Sequence, residues 1–193
     1  MNKRATLIVL ALLFFGPMLV AWTWFFFFRD MLPGTVNKGD LIQPPVQIAG
    51  LELLEQVDGT PEPAKPFLGD WTVVVLAPES CEADCERALY LTRQVRTRLN
   101  RDAHRVQRLL IAGDGVDFPR SEHPDLRVFM ADEQALAAFE VDDNPLLAGA
   151  ERIYLVDPFG NLMMSYPMDF TPEMLNSDLK RVLKISEADK NDE

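Results

Sequence analysis

Trp71-Thr72-Val73-Val74-Val75-Leu76-Ala77 leads through Pro78-Glu79-Ser80 into Cys81-Glu82-Ala83-Asp84-Cys85. The first part is a continuous, largely β-branched apolar run, the pattern of a central strand buried on both faces. Beyond it, Ala88, Leu91, Val95 and Leu99 fall on one face at helical spacing, with Arg93, Arg96 and Arg98 elsewhere. Arg108–Ala112 (RLLIA) is a second buried strand, stopped by Gly113-Asp114-Gly115. Strand, helix and strand make a βαβ unit.

The rest of the domain extends outward from that unit. Upstream, Leu51–Val57 alternates loosely and meets Asp58-Gly59, a hairpin signal. Downstream, Leu126–Met130 reads as a further strand and Glu133–Phe139 as a short helix. Ile153–Val156 and Leu162–Tyr166 flank the turn-rich Asp157-Pro158-Phe159-Gly160-Asn161. Thr171 then stands as an N-cap before Pro172, and Leu175, Leu179 and Val182 supply an apolar stripe. This order of elements is that of an α/β, thioredoxin-like domain with an insertion after its first helix.

The N-terminus is of another kind. Ala5 to Phe28 holds no charged residue, and at about 1.5 Å per residue it makes roughly 36 Å of helix, against about 30 Å of hydrocarbon. Gly16-Pro17 sits mid-span, and Trp22 and Trp24 suit an interfacial belt. A cleaved signal peptide fits less well: its apolar region is shorter and ends in small residues, whereas this run ends in Phe25-Phe26-Phe27-Phe28-Arg29-Asp30. The expected division is a transmembrane anchor over 1–30, a Pro- and Gly-bearing linker over 31–48, the thioredoxin-like domain over 49–185 and a polar, acidic tail over 186–193. Lys3 and Arg4 on one side against Arg29 and Lys38 on the other give only a slight bias towards a cytoplasmic N-terminus.

Charge narrows the function. The net charge is -11. Residues 1–30 hold Lys3, Arg4 and Arg29 against Asp30, so 31–193 keep 16 of 19 basic and 29 of 30 acidic residues, a net of -13. Such a polyanion has no electrostatic reason to bind nucleic acid or an anionic lipid surface.

Cys81 and Cys85 are the only cysteines. They follow the buried strand at its C-terminal end, where crevices form in open α/β sheets. Spacing i, i+4 on a starting helix puts both sulfurs on one face. There they can approach disulfide geometry or offer two thiolates to one metal ion. As a staple the pair is poor, since so small a loop removes only about 2 kcal/mol of unfolded-state entropy. Burial as two apolar side chains is disfavoured by Glu79, Glu82, Asp84 and Glu86 around them. A helix N-terminus lowers a thiol pKa, but those four anions raise it. The electrostatics therefore oppose a fast thioredoxin-type nucleophile and permit a metal site or a slowly exchanging dithiol.

Over roughly residues 48–185 the chain resembles the SCO/SenC family of membrane-anchored, thioredoxin-like copper chaperones for cytochrome c oxidase assembly. The resemblance rests on Phe67-Leu68-Gly69-Asp70-Trp71, on Cys81-x-x-x-Cys85 and on Ile153-Tyr154-Leu155-Val156-Asp157-Pro158-Phe159-Gly160. It implies that Cys81 and Cys85 bind copper and can cycle through a disulfide. It further implies a domain on the periplasmic side of the inner membrane, and an oxidase subunit or another assembly factor as partner. The family's third copper ligand, a histidine before the hairpin, would fall at about Gly149, and Asn144–Ile153 contains none. His104 and His123 read as surface histidines, and Met163, Met164 and Met168 as core filler rather than thioether ligands. Zinc-finger spacing and a peroxiredoxin context are both absent. A tethered scaffold that performs no chemistry is the alternative function.

Overall fold

The computed structural model describes residues 3–27, 37–57, 60–77, 80–113, 116, 120–130, 139 and 152–191. They form two compact units, divided after Val36.

The first unit holds helix α1, Lys3–Phe27, which continues through Pro17. Its described apolar side chains are exposed, Leu13 and Phe14 by 75% and 78%. Thr23 returns its hydroxyl to the Leu19 carbonyl at 2.7 Å, so this polar group is satisfied within the helix. Taken over the described residues alone, no helix is long and apolar enough to cross a membrane.

The second unit is built on β4, Trp71–Ala77, buried at every position. Alternate residues feed two cores: Val73, Val75 and Ala77 face one, Val74 and Leu76 the other, as strand periodicity requires. Helix α2, Ala83–Arg98, links β4 to the parallel strand β5, Val106–Ala112. β6, Leu126–Met130, pairs in parallel with β5. On the other flank β7, Arg152–Val156, runs antiparallel to β4, and β8, Asn161–Pro167, antiparallel to β7. Helix α3, Pro172–Asn191, follows. Its Leu175, Leu179 and Val182 join the side chains of α2 in the first core. This is the thioredoxin-like α/β arrangement expected of the sequence.

The strands add more than expected at both edges. β1, Asp40–Gln47, lies within the segment read as linker and pairs with β8. The Asp58-Gly59 signal does separate a hairpin, β2 (Leu53–Val57) and β3 (Thr60–Ala64). One sheet results, in the order β1-β8-β7-β4-β5-β6-β2-β3. Pro44 and Pro45 in β1, and Pro61 and Pro63 in β3, are tolerated because both strands are edges. Helix α3 also runs on through 186–191, taking in most of the segment read as a polar, acidic tail. The short helix expected at Glu133–Phe139 lies outside the described residues except for Phe139. That residue is buried, with its ring 5.4 Å from Tyr154 and 6.1 Å from Phe67.

Two devices fix the ends of the sheet. In the β7–β8 turn the Asp157 carboxylate accepts from the backbone N–H of Phe159 and Asn161, at 2.9 and 2.8 Å, and from Asn161 Nδ2 at 2.8 Å. Gly160 there has φ +80, and a Cβ on it would stand 2.6 Å from Ala49; its carbonyl accepts from Ile48 N–H at 2.8 Å. At the start of β1, the buried Asp178 carboxylate accepts from Lys38 and Gly39 N–H and from the Tyr166 hydroxyl, between 2.9 and 3.1 Å. Burial and that carboxylate push the Tyr166 phenol well above its usual range.

Candidate functional site

β4 ends at Ala77, and Cys81 lies in the connection that brings the chain to α2. Cys85 sits in the first turn of α2, two residues after Ala83 opens it. The two sulfurs are bonded as a disulfide, with Cα atoms 5.0 Å apart. The sulfurs are therefore adjacent, but not as an i, i+4 pair on one helix: Cys81 precedes the N-cap residue Glu82.

Their burial departs from the expectation of an accessible pair. Cys81 is 8% exposed and Cys85 0%, and both belong to the larger core with Val75, Ala77, Ala88 and Leu89. The acidic residues meant to keep them wet point outward, with Glu82, Asp84 and Glu86 exposed. At a helix N-terminus, carboxylates in the first turn are favoured by the macrodipole. That explains Asp84 and Glu86 without any part in chemistry. Ser80 Oγ reaches Glu82 Oε1 at 3.5 Å. Arg87 Nη1 donates to the Met168 carbonyl at 3.1 Å, tying the exit of β8 to the first turns of α2. Glu79 lies outside the described residues.

A buried polar group underlies the same helix, and no local sequence signal marks it. Arg108 in β5 is 1% exposed. Its guanidinium donates to the Leu89 carbonyl at 2.5 Å, to Thr92 Oγ1 at 3.1 and 3.2 Å, and to Asp125 Oδ1 at 3.0 Å. Desolvation lowers its pKa, against the opposing pull of Asp125. Leu89 is one helical turn beyond Cys85, so Arg108 anchors the cysteine-bearing helix to the sheet. Thr92 is buried for this reason. The inner stripe of α2 thus reads Cys85, Ala88, Leu89, Thr92 and Val95, with Leu91 only half-buried.

The other sequence candidates are dispersed. His104 is exposed, with Nδ1 2.6 Å from the Arg101 carbonyl. His123, expected at the surface, is 3% exposed. It precedes β6 at the far side of β5 and is held below its ordinary pKa by burial and by Arg108 and Arg93. Met164 is buried, its sulfur 3.6 Å from the Tyr166 hydroxyl oxygen; Met163 and Met168 pack, partly buried, against the larger core. The Gly149 position lies outside the described residues. Among the described residues, no three His, Cys, Asp or Glu side chains gather to hold a metal ion.

Residues 71–186 match the family described as the transmembrane-like, thioredoxin-like, C-terminal domain. No curated protein matches the chain. Its fold is similar to that of the apo Sco1 protein from Thermus thermophilus, at 14% identity and a TM-score of 0.59, covering 77% of this chain and 98% of that one. ScoI from Arabidopsis thaliana, solved with copper bound, is similar at 15% identity and 0.54, covering 72% and 96%. BsSco, a Sco-family cytochrome c oxidase assembly protein with an identified disulfide switch, is similar at 17% identity and 0.50, covering 72% and 94%. At these identities the likeness is one of fold.

Proposed function

We propose that this chain, which belongs to the family of transmembrane-like, thioredoxin-like C-terminal domains, is a membrane-tethered factor of Sco-like function in cytochrome c oxidase assembly. Cys81 and Cys85 are its working pair, in thiol–disulfide exchange or in carrying copper as cargo. The observation that supports this reading most is the position of the bonded pair, just beyond the C-terminal end of the central strand and at the start of α2.

Exposure sets the order of events. Cys81 keeps the pair's residual exposure, 8% against 0% for Cys85, so the thiolate of an incoming dithiol attacks Cys81 Sγ, the Cys81–Cys85 bond breaks, and Cys85 leaves as the thiolate. The partner's second thiol then displaces Cys81. The partner ends as a disulfide, this chain ends as the dithiol, and two electrons have moved. Cys85 leaves at a helix N-terminus, where the macrodipole favours its negative charge while the apolar surround opposes it. The reduced pair offers two soft sulfur donors, which suit Cu(I) in a two-coordinate site.

Anchoring through residues 5–28 is supported by their uncharged composition. A domain on the periplasmic side of the inner membrane is supported by the disulfide, since such bonds persist in oxidising compartments. The partner is then an oxidase subunit or another assembly factor.

Native mass spectrometry of the full chain, with and without reductant and Cu(I), tests this. One copper bound per reduced chain, lost in a Cys81→Ser, Cys85→Ser variant, supports cargo; a reversible gain of two hydrogens without copper supports exchange. The complete burial of Cys85 favours a second reading, a scaffold whose disulfide is structural. In that case the double variant still supports oxidase assembly in cells.

A further inference from the structure

Residues 120–126 close over a buried histidine. Arg120–Glu122 forms a 3-10 turn, His123 N–H donates to the Arg120 carbonyl at 3.0 Å, and Leu126 N–H to the His123 carbonyl at 3.1 Å. The imidazole is 3% exposed, and its Nδ1 is buried with no hydrogen-bond partner. A neutral ring tolerates one unpaired nitrogen far better than an imidazolium, which carries charge and must donate from both.

The surroundings work against such a charge. Arg108 of β5 and Arg93 of α2 oppose it, and Glu122 and Asp125 of the segment itself offset them only in part. Asp125 is engaged by Arg108 at 3.0 Å and Arg96 at 3.4 Å. Arg93 donates to the Glu122 carbonyl at 2.6 Å. These are the same bonds that fasten the segment to α2 and β5. Its hold on α2 therefore passes through groups crowded against the histidine.

We propose that residues 120–126 are an acid-released clasp on α2, shut while His123 is neutral and opened when His123 takes a proton. Opening carries the imidazolium to water and withdraws Asp125 and the Glu122 carbonyl from three arginines. Arg93 and Arg96 stand on the helix whose first turn holds Cys85. The pH-sensitive element is thus joined to that helix while lying away from the disulfide. The depressed basicity of His123 agrees with this.

Amide hydrogen exchange of the full chain in detergent micelles, between pH 5 and 8 and corrected for intrinsic exchange, tests the proposal. The opening constant of a peptide spanning 120–126 is flat above about pH 6.5 and rises as pH falls below it. In His123→Gln that slope disappears. If this variant fails to fold, the ring C–H signals of His123 in the unaltered chain decide, with a titration midpoint below about 6.5 expected. An opening constant independent of pH, a slope kept in the Gln variant, or titration at or above about 6.5 overturns the proposal.

Discussion

Reducing the Cys81–Cys85 bond separates a pair that can cycle from one that holds the domain together. The bridge spans a sequence separation of 4, so it closes a ring of about five residues. In the chain-entropy account, such a ring removes about 7 cal/mol/K from the unfolded ensemble, or about 2 kcal/mol at 25 °C; a loop of a hundred residues gives about 4.7. Reduction leaves both thiols in the apolar cluster that already buries them, where a neutral cysteine behaves as a small hydrophobe. No packing loss adds to the entropic one. With a urea slope of about 2 kcal/mol/M, the midpoint should fall by about 1 M while the slope stays constant. Urea unfolding of the full chain in micelles, with and without a phosphine reductant and followed by circular dichroism, measures this. A loss above about 4 kcal/mol, or disappearance of the cooperative transition, would refute the reasoning. The bond would then be a staple that the domain could not open without unfolding.

Three further outcomes follow from the surrounding structure. Arg108→Met should cost about 3–5 kcal/mol in chemical denaturation, because Asp125 and Thr92 lose their buried cationic partner. Gly160→Ala should cost about 2–4 kcal/mol, since it adds a left-handed residue to a contact that places Cβ 2.6 Å from Ala49; differential scanning calorimetry reads the loss. Tyr166 is neutral in the fold and its pKa is raised. The stability it contributes is therefore complete below the unfolded phenol's pKa of about 10 and declines as pH rises beyond it. Tyr166→Phe should flatten that alkaline decline while costing about 1.5–3 kcal/mol at neutral pH through the lost bond to Asp178, both visible in urea titrations.

What was legible in the sequence was what depends on near neighbours. WTVVVLA is apolar on both faces, and it became the strand buried at every position. The α2 spacing, the Asp157–Asn161 turn and the Thr171-Pro172 helix start are local signals, and each marks an element of the sheet or its cover. The prolines hid β1 and β3, because Pro44-Pro45 and Pro61/Pro63 argue against a strand unless it is known to be an edge. Arg108 reads as the charged border of RLLIA; its burial depends on Asp125, 17 residues away, and on Thr92, 16 away. His123 sits between Glu122 and Pro124, as a surface residue would, yet it is buried, with Arg93 of α2 and Arg108 of β5 holding its basicity down. At the site, the position of the cysteines was legible, but the unequal burial of the two sulfurs was not. That inequality arises because Cys85 falls on the inner stripe of α2 while Cys81 stands before the helix begins.

If the pair exchanges with a partner as proposed, that inequality also constrains the partner. With Cys85 fully buried and Cys81 nearly so, a partner must bring a slender nucleophile, a thiol on an extended segment, or must first loosen the start of α2. The exposed Glu82, Asp84 and Glu86 lie beside the two cysteines in the chain, and an attacking thiolate is repelled by them. A segment that also carries basic side chains offsets that repulsion and gains in encounter rate. The same carboxylates attract a hydrated cation. They cannot hold it in place of the sulfurs, because a soft Cu(I) ion prefers thiolate to carboxylate. Exchange rates with a basic and an acidic dithiol peptide of equal length should therefore diverge as ionic strength falls and converge as it rises. Equal rates at low salt would place the reacting sulfur outside the reach of those three carboxylates.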